Sequence, residues 1–392
     1  MSPRIQGEEF AQPLRLAILQ RVCAGYQVGL FRRLSDVPGG DVRLFIGDDI
    51  PGSKVRSAAD LSSLDVVKLP TRFIRLGGRL IPLHKGLQKE LEIFQPHVIL
   101  CEGESNFLNY VSAIWYRWRH RQVGLVHWSL GGMPGVEYNP RGLLSRAKYF
   151  FQKSFDIFVV YSSFGKDVLI RLGHPAENIV VATNVSDTEK HLQSAAGMSC
   201  SRSEARAQLN LPDKFTVIYA GAMDANKRLD QLLMAAADLD SARYNFVLLG
   251  SGGLLEQLRS FATARGLKNI FFPGRVGDEL PLYYNASNVL ALPGRGGIVI
   301  SEAMTYALPV IVFQADGTEY DLVQEGVTGI RLKNGDAADL RLAIEFLYNH
   351  PAKAEEWGAR GQQLVRDKFT IATMIEQLMK AVYAAYEKRL EA

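Results

Sequence analysis

Val289-Leu290-Ala291-Leu292-Pro293-Gly294-Arg295-Gly296-Gly297-Ile298-Val299-Ile300-Ser301-Glu302-Ala303-Met304 is the stretch on which the reading of this chain turns. Val289–Leu292 is an unbroken apolar run, the pattern of a parallel strand covered on both faces. Three glycines around Arg295 make a tight turn in which backbone can approach a ligand closely. Ile300, Ala303, Met304 and Ala307 then fall at i, i+3, i+4 and i+7, the apolar stripe of a helix. A helix beginning near Gly297 presents unpaired N–H groups and a partial positive charge, which suits a phosphate. Glu302 lies roughly opposite the stripe, but helical side chains lean toward the N-terminus, so its carboxylate can serve the same crevice. Taken alone, the stretch fits an ordinary strand, turn and helix with a solvated glutamate equally well.

Length and composition set the frame. A chain of 392 residues has room for about two domains, each with a real core. Hydrophobic content of 47% and charged content of 22% are those of a soluble globular protein. No run approaches the roughly 18 apolar residues of a membrane span. The start of the chain is polar, with Glu8 and Glu9, and the apolar residues 16–19 are too few for a signal peptide. Cys23, Cys101 and Cys200 are widely spaced and odd in number. They argue against a disulfide framework or a thiolate metal cluster and point to a reducing cytoplasm. Residues 1–200 carry 24 Lys and Arg against 18 Asp and Glu, so the net charge of +4 divides into +6 there and −2 in the remainder. That suits an anionic surface such as lipid headgroups on the N-terminal side, or is ordinary for the length.

Strand and helix patterns alternate along both halves. Apolar runs at 14–20, 41–47, 66–69, 97–102, 123–128 and 157–161 predict strands, with helices at about 28–34, 110–118 and 166–172 between them. Residues 70–89 are basic and amphipathic, and 140–154 read as a basic helix. Periodicity is lost over 193–212, where a domain boundary is expected. A second alternating unit begins at Phe215–Ala220, and a long amphipathic helix closes the chain at about 371–390. Such alternation predicts a doubly wound parallel sheet in each half, with a cleft between them that suits a ligand.

Several loops then fall on one sheet edge. Phe215–Ala220 runs into Gly221 and Ala222, with Lys227 and Arg228 at the following helix start, placing two cations where anions bind in open α/β sheets. Gly250-Ser251-Gly252-Gly253 is a second backbone-rich turn, though Leu255 breaks the dinucleotide fingerprint. Gly274-Arg275-Val276 ends a third strand, and Asp316-Gly317-Thr318-Glu319 follows a fourth. The seven histidines show no zinc spacing. Ser162 and Ser163 lack the flanking glycines of a nucleophile elbow. His127 closes a strand at the carboxyl edge of the N-terminal sheet and is expected either to face the cleft or to pack at the strand end. The aromatic and cationic run 115–121 reads first as a helix end.

At these residues the chain resembles a retaining glycosyltransferase of the family-four type with a GT-B fold, meaning two tandem Rossmann-like domains facing across a cleft. The resemblance spans about 14–385 and is specific mainly over 217–332. It rests on Ser301-Glu302-Ala303-Met304 and Leu308-Pro309-Val310-Ile311, which match the end of the family's Glu-x7-Glu motif and the strand that follows. By resemblance Glu302 binds the donor's ribose, and Gly297 and Ile298 hold the diphosphate together with Lys227. Arg275 and Val276 flank the base, and His127 is similar to a histidine near the sugar. The donor-binding set expected on this basis is Gly221, Lys227, Arg228, Gly250, Arg275, Val276, Arg295, Gly296, Gly297, Ile298 and Glu302. His127, Lys227 and Glu302 are the expected catalytic residues, with no metal and no cofactor. Two departures stand out. The first motif glutamate falls at Gly294, and the family's clamp arginine falls at Ala222, so Arg295 or Arg228 is expected to supply the missing cation.

With the boundary placed where the periodicity is lost, the expected domains are 1–198 and 199–370, with the last helix (about 371–392) packing back on the first. The resemblance implies transfer of a hexosyl group from a nucleotide sugar to a glycan or lipid-linked acceptor in cell-surface polysaccharide or glycolipid synthesis. The setting would be the cytoplasm, with residues 70–89 touching the anionic inner membrane face or the acceptor, and no nucleic acid as partner. A sugar-nucleotide epimerase of the same fold, and a degenerate non-catalytic nucleotide-sugar-binding module, remain as alternatives.

Overall fold

The computed structural model describes residues 13–52, 56–76, 79–103, 106–136 and 149–391. Two all-parallel sheets dominate it. The first orders its strands β3-β2-β1-β6-β7-β8-β9, with β1 Leu14–Leu19, β2 Gly40–Ile46, β3 Val66–Lys68, β6 Val98–Glu102, β7 Gly124–Ser129, β8 Ile157–Val160 and β9 Ile179–Val181. The second orders β12-β11-β10-β13-β14-β15, with β10 Phe215–Ala220, β11 Tyr244–Leu249, β12 Ile270–Gly274, β13 Val289–Leu292, β14 Val310–Val312 and β15 Gly329–Arg331. Strands β7, β8, β11 and β13 are buried at every position, which is why they read as continuous apolar runs rather than alternations.

Strand order reverses between β1 and β6 in the first sheet and between β10 and β13 in the second. Those reversals open crevices at the carboxyl ends of the strands. In the second sheet Val217 pairs with Val289 and Ile218 with Leu290, which brings the loops after β10 and β13 side by side.

Residues 70–89, basic and amphipathic in the sequence, fold back on themselves. They hold an antiparallel pair, β4 Thr71–Leu76 and β5 Arg79–His84, with Phe73 opposite Pro82 and Ile74 opposite Ile81. Asn109 of the Phe107–Arg119 helix fixes this pair: its side-chain oxygen accepts from the His84 amide at 2.9 Å, and its amide nitrogen donates to the Pro82 carbonyl at 3.2 Å. The helix expected at 140–154 lies outside the described residues up to 148.

The chain crosses between the sheets in the segment that joins β9 to β10. The Thr188–Ala196 helix packs on the Ile298–Thr305 and Leu280–Ala286 helices of the second unit, and His191 Nδ1 lies 3.2 Å from the Tyr306 hydroxyl. Ser186 anchors the crossover by donating its amide to Ser301 Oγ at 3.2 Å. The final helix, Ile371–Leu390, lies across β6–β9 of the first sheet. It comes so close to β7 at Gly124 that a Cβ there would lie 2.9 Å from the Ala385 carbonyl carbon.

Candidate functional site

A cavity of about 700 Å³ opens at the strand reversal of the second sheet, walled on the other side by Tyr26 and Asn184 of the first unit. Its floor is close-packed backbone. Gly221 and Gly250 adopt positive φ (150° and 124°), and a Cβ on Gly250 would collide with the Gly221 carbonyl. Gly250 N–H donates to the Gly274 carbonyl at 2.7 Å, and Arg275 Nε donates to Ser251 Oγ at 2.8 Å, tying the loops after β11 and β12 together.

Gly297 is the N-cap of the Ile298–Thr305 helix, and no side chain caps it. The first amides are therefore open toward the cavity, with the positive end of the helix behind them. Lys227 reaches the same point from the turn after β10, and its Nζ donates to the Arg295 carbonyl. A Cβ on Gly296 would stand 3.0 Å from that Nζ. Burial lowers the pKa of the Lys227 ammonium from its ordinary value, while Asp316 and Asp224 act in the opposite direction.

Glu302 sits one turn into the helix with its side chain 21% exposed. Tyr284 donates its hydroxyl to Oε2 at 2.9 Å, and Oε1 lies 3.9 Å from His191 Nε2. Burial pushes the Glu302 carboxyl up to about 7, with the Tyr284 hydrogen bond acting against it.

Of the residues expected from sequence, Gly221, Lys227, Gly250, Arg275 and Val276 line this cavity, as do Gly296, Gly297, Ile298 and Glu302. Three do not. Arg228 adopts a left-handed conformation (φ 53°) and lays its guanidinium over the Phe313 ring at 4.8 Å. Arg295 turns its guanidinium toward Met133 of the first unit, Nη1 to Sδ 3.4 Å, and serves the cavity only through its carbonyl. Neither arginine replaces the cation missing at Ala222. His127 is 1% exposed and packs edge-on to Tyr110 and Phe155 at 5.3 and 5.1 Å. Its strand ends at the carboxyl edge, but its ring enters the packed face of the sheet rather than the cleft.

Sequence reasoning missed Tyr26 and Asn184, which line the cavity, and placed the Asp316 loop on this edge without assigning its carboxylate, which lines the cavity too. It also passed over Glu102, the last residue of β6 at the strand reversal of the first sheet. Burial raises the Glu102 carboxyl pKa, and Arg21 opposes that rise. A single acid ending an apolar strand was its signal. Among the described residues no group of three His, Cys, Asp or Glu side chains is arranged to hold a metal, and no helix is long and apolar enough to cross a membrane.

The family model described as glycosyl transferases group 1 matches residues 201–364. The chain is 32% identical over 160 residues to the D-rhamnosyltransferase WbpZ of Pseudomonas aeruginosa, covering 39% of this chain and 41% of that one. It is 26% identical over 264 residues to the capsular polysaccharide biosynthesis glycosyltransferase CapM of Staphylococcus aureus, covering 61% and 68%. The chain spans less than half the length of several of the curated relatives it matches. In three dimensions it is similar to Anabaena Alr3699/HepE in complex with UDP, with a TM-score of 0.74 and 17% identity over 95% of this chain and 100% of that one. The fold is GT-B.

Proposed function

We propose that this protein transfers a sugar from a nucleoside-diphosphate sugar to a glycan or lipid-linked acceptor in cell-surface polysaccharide or glycolipid synthesis. The observation that carries the reading is the convergence of Lys227, the open amides at Gly297 and Ile298, and the Glu302 carboxylate on one cavity at a strand reversal. One cation and two amides suit a diphosphate, and a carboxylate one helical turn further suits a ribose diol. CapM and the UDP-bound neighbour support the acceptor class and the donor class respectively.

In this reading the acceptor hydroxyl oxygen bonds to the sugar's anomeric carbon as the bond from that carbon to the β-phosphate oxygen breaks. The electron pair leaves with the diphosphate, and Lys227 and the helix-start amides stabilise the growing charge without a divalent metal. With attack on the face of the departing phosphate, that phosphate takes the acceptor's proton and the anomeric configuration is retained. A panel of nucleotide sugars followed by mass spectrometry tests this. Transfer to acceptor or slow release of free nucleotide is expected. Epimer formation would favour the epimerase, and binding with no turnover the non-catalytic module.

Glu302 makes the reading testable by pH. The ribose diol donates to a carboxylate, so donor binding favours the ionised form of a group that burial pushes up to about 7. Nucleotide-sugar affinity should therefore rise with pH up to about 7 and level off above it, and Glu302→Gln should flatten the profile. Stability runs the other way. A folded pKa above the unfolded value means that stability falls as pH rises from the unfolded pKa through 7. Glu302→Gln should accordingly raise Tm more at pH 8 than at pH 5 in thermal melts of the free protein.

A membrane contact fits the Phe107–Arg119 helix better than the β4–β5 pair. Val111, Trp115 and Trp118 stand at i, i+4 and i+7, with Trp115 50% and Trp118 68% exposed, and Arg119 lies over the Trp115 ring at 5.2 Å. Indole rings beside exposed cations suit the interface of an anionic bilayer. The Trp115→Ser, Trp118→Ser double variant should lose binding to phosphatidylglycerol vesicles in co-sedimentation, while nucleotide affinity stays the same.

A further inference from the structure

A pocket for a nucleotide sugar needs fixed acceptors for the sugar's hydroxyl hydrogens. The turn after β13 cannot supply a carboxylate. A Cβ on Gly294 would lie 2.6 Å from the Lys227 carbonyl carbon and 2.7 Å from its oxygen. No side chain of any kind fits there while Lys227 holds its place.

The loop after β14 does carry a carboxylate into the cavity. Thr318, fully buried, donates to Asp316 Oδ1 through both its amide (3.2 Å) and its hydroxyl (2.6 Å), which fixes the group's direction. Asp316 stands over the helix start, where a Cβ on Gly297 would collide with both of its oxygens. The next residues reach the first unit. A Cβ on Gly317 would lie 2.6 Å from Ser162 Oγ, Asp321 Oδ2 accepts from the Ser163 amide at 2.8 Å, and the Tyr320 and Phe164 rings are 4.9 Å apart. The Asp316 carboxylate thus lies on the cavity beside the helix-start amides, in the loop that joins this edge to the first unit. In the nucleotide-sugar reading, the sugar carried by a diphosphate on those amides lies within reach of this carboxylate.

A carboxylate gains nothing from a phosphate beside it, since two anions repel, but it accepts strongly from hydroxyl groups. We propose that Asp316 binds the hydroxyls of the donor's sugar, taking from the β14 loop the part that Gly294 leaves empty in the β13 turn. This rests on the nucleotide-sugar reading above. Such a subsite discriminates sharply between sugars, because removing the matching hydroxyl leaves a buried acceptor unpaired.

Calorimetric titration of UDP, UDP-glucose, GDP and GDP-mannose into the wild type and Asp316→Asn tests it. For the base that binds, the variant's affinity for the nucleoside diphosphate should stay within about threefold, while the nucleotide sugar weakens about tenfold or more. Preserved diphosphate binding also shows that the variant is folded. A second measurement needs no variant: among deoxy analogues of the donor sugar, at least one should bind the wild type about tenfold more weakly than its parent. An unchanged ratio of sugar-nucleotide to nucleotide affinity in Asp316→Asn overturns the proposal, as does a parallel gain in both, which would mean that the carboxylate only repels the diphosphate. Equal binding of every deoxy analogue by the wild type overturns it too. A wild type that binds none of the four ligands sinks the nucleotide-sugar reading itself, and the proposal with it.

Discussion

Gly294→Glu, which writes the missing motif glutamate back into the sequence, is expected to destroy donor binding rather than improve it. A side chain at 294 meets the backbone of the turn that carries Lys227, at 2.6 Å from the Lys227 carbonyl carbon. Two hydrogen bonds join the same pieces: Arg295 N–H donates to the Asn226 carbonyl at 2.9 Å, and Lys227 Nζ donates to the Arg295 carbonyl. Relief of the clash must separate the β13 turn from the β10 turn, and both bonds go with it. The lysine then leaves the helix-start amides. Affinity for the nucleotide sugar should fall by about two orders of magnitude, with overpacking costing about 1–3 kcal/mol of stability. Gly294→Ala should lie in the same direction, because the collision is with Cβ and not with the carboxylate. Titration calorimetry and thermal melts on the three proteins check this. Tighter donor binding by Gly294→Glu at an unchanged Tm would show that the turn moves freely and that the close approach has no function.

What sequence could and could not disclose follows from the same packing. β13 and the Ile298–Thr305 helix were legible because burial on both strand faces and the i, i+3, i+4 stripe are local patterns. The cluster Lys227, Gly297, Ile298 and Glu302 was legible because parallel α/β units put successive loops on one edge. His127 was not, and the reason is general: β7 is buried at every position, so its sequence carries no alternation from which to tell which face a side chain takes. Residues 70–89 were read only as basic and amphipathic, with no hairpin expected, although the Gly77-Gly78 pair between two short runs is a hairpin signal. Arg228 and Arg295 were adjacent to the right residues but had their side chains turned away, one by a left-handed φ and the other toward Met133. The Asp316 loop was placed on the right edge, but the part its carboxylate could take was not legible. Thr318, two residues on, fixes the carboxylate locally, but its place over the helix start depends on the space left at Gly297, a relation that is neither short-range nor periodic.

Lys227→Ala should then have the largest effect on turnover, lowering kcat by about 10²–10³. In the proposed reading, with Ala222 where a second cation would stand and with Arg228 and Arg295 directed elsewhere, Lys227 is the cation beside the helix-start amides that would face the diphosphate. Its desolvation strengthens its action on charge that develops as the sugar–phosphate bond breaks, and its anchor on the Arg295 carbonyl spares it reorganisation at that moment. Because charge grows on the diphosphate only during reaction, the loss should exceed that in ground-state affinity for the intact nucleotide sugar. A companion substitution separates charge from packing. Ala222 lines the cavity and is exposed, so Ala222→Arg has room to place a guanidinium at the diphosphate, and the Lys227→Ala, Ala222→Arg double variant should regain about tenfold in kcat. Single-turnover rates with saturating donor decide it. A Lys227→Ala rate within threefold of wild type would leave the leaving-group role to the amides alone.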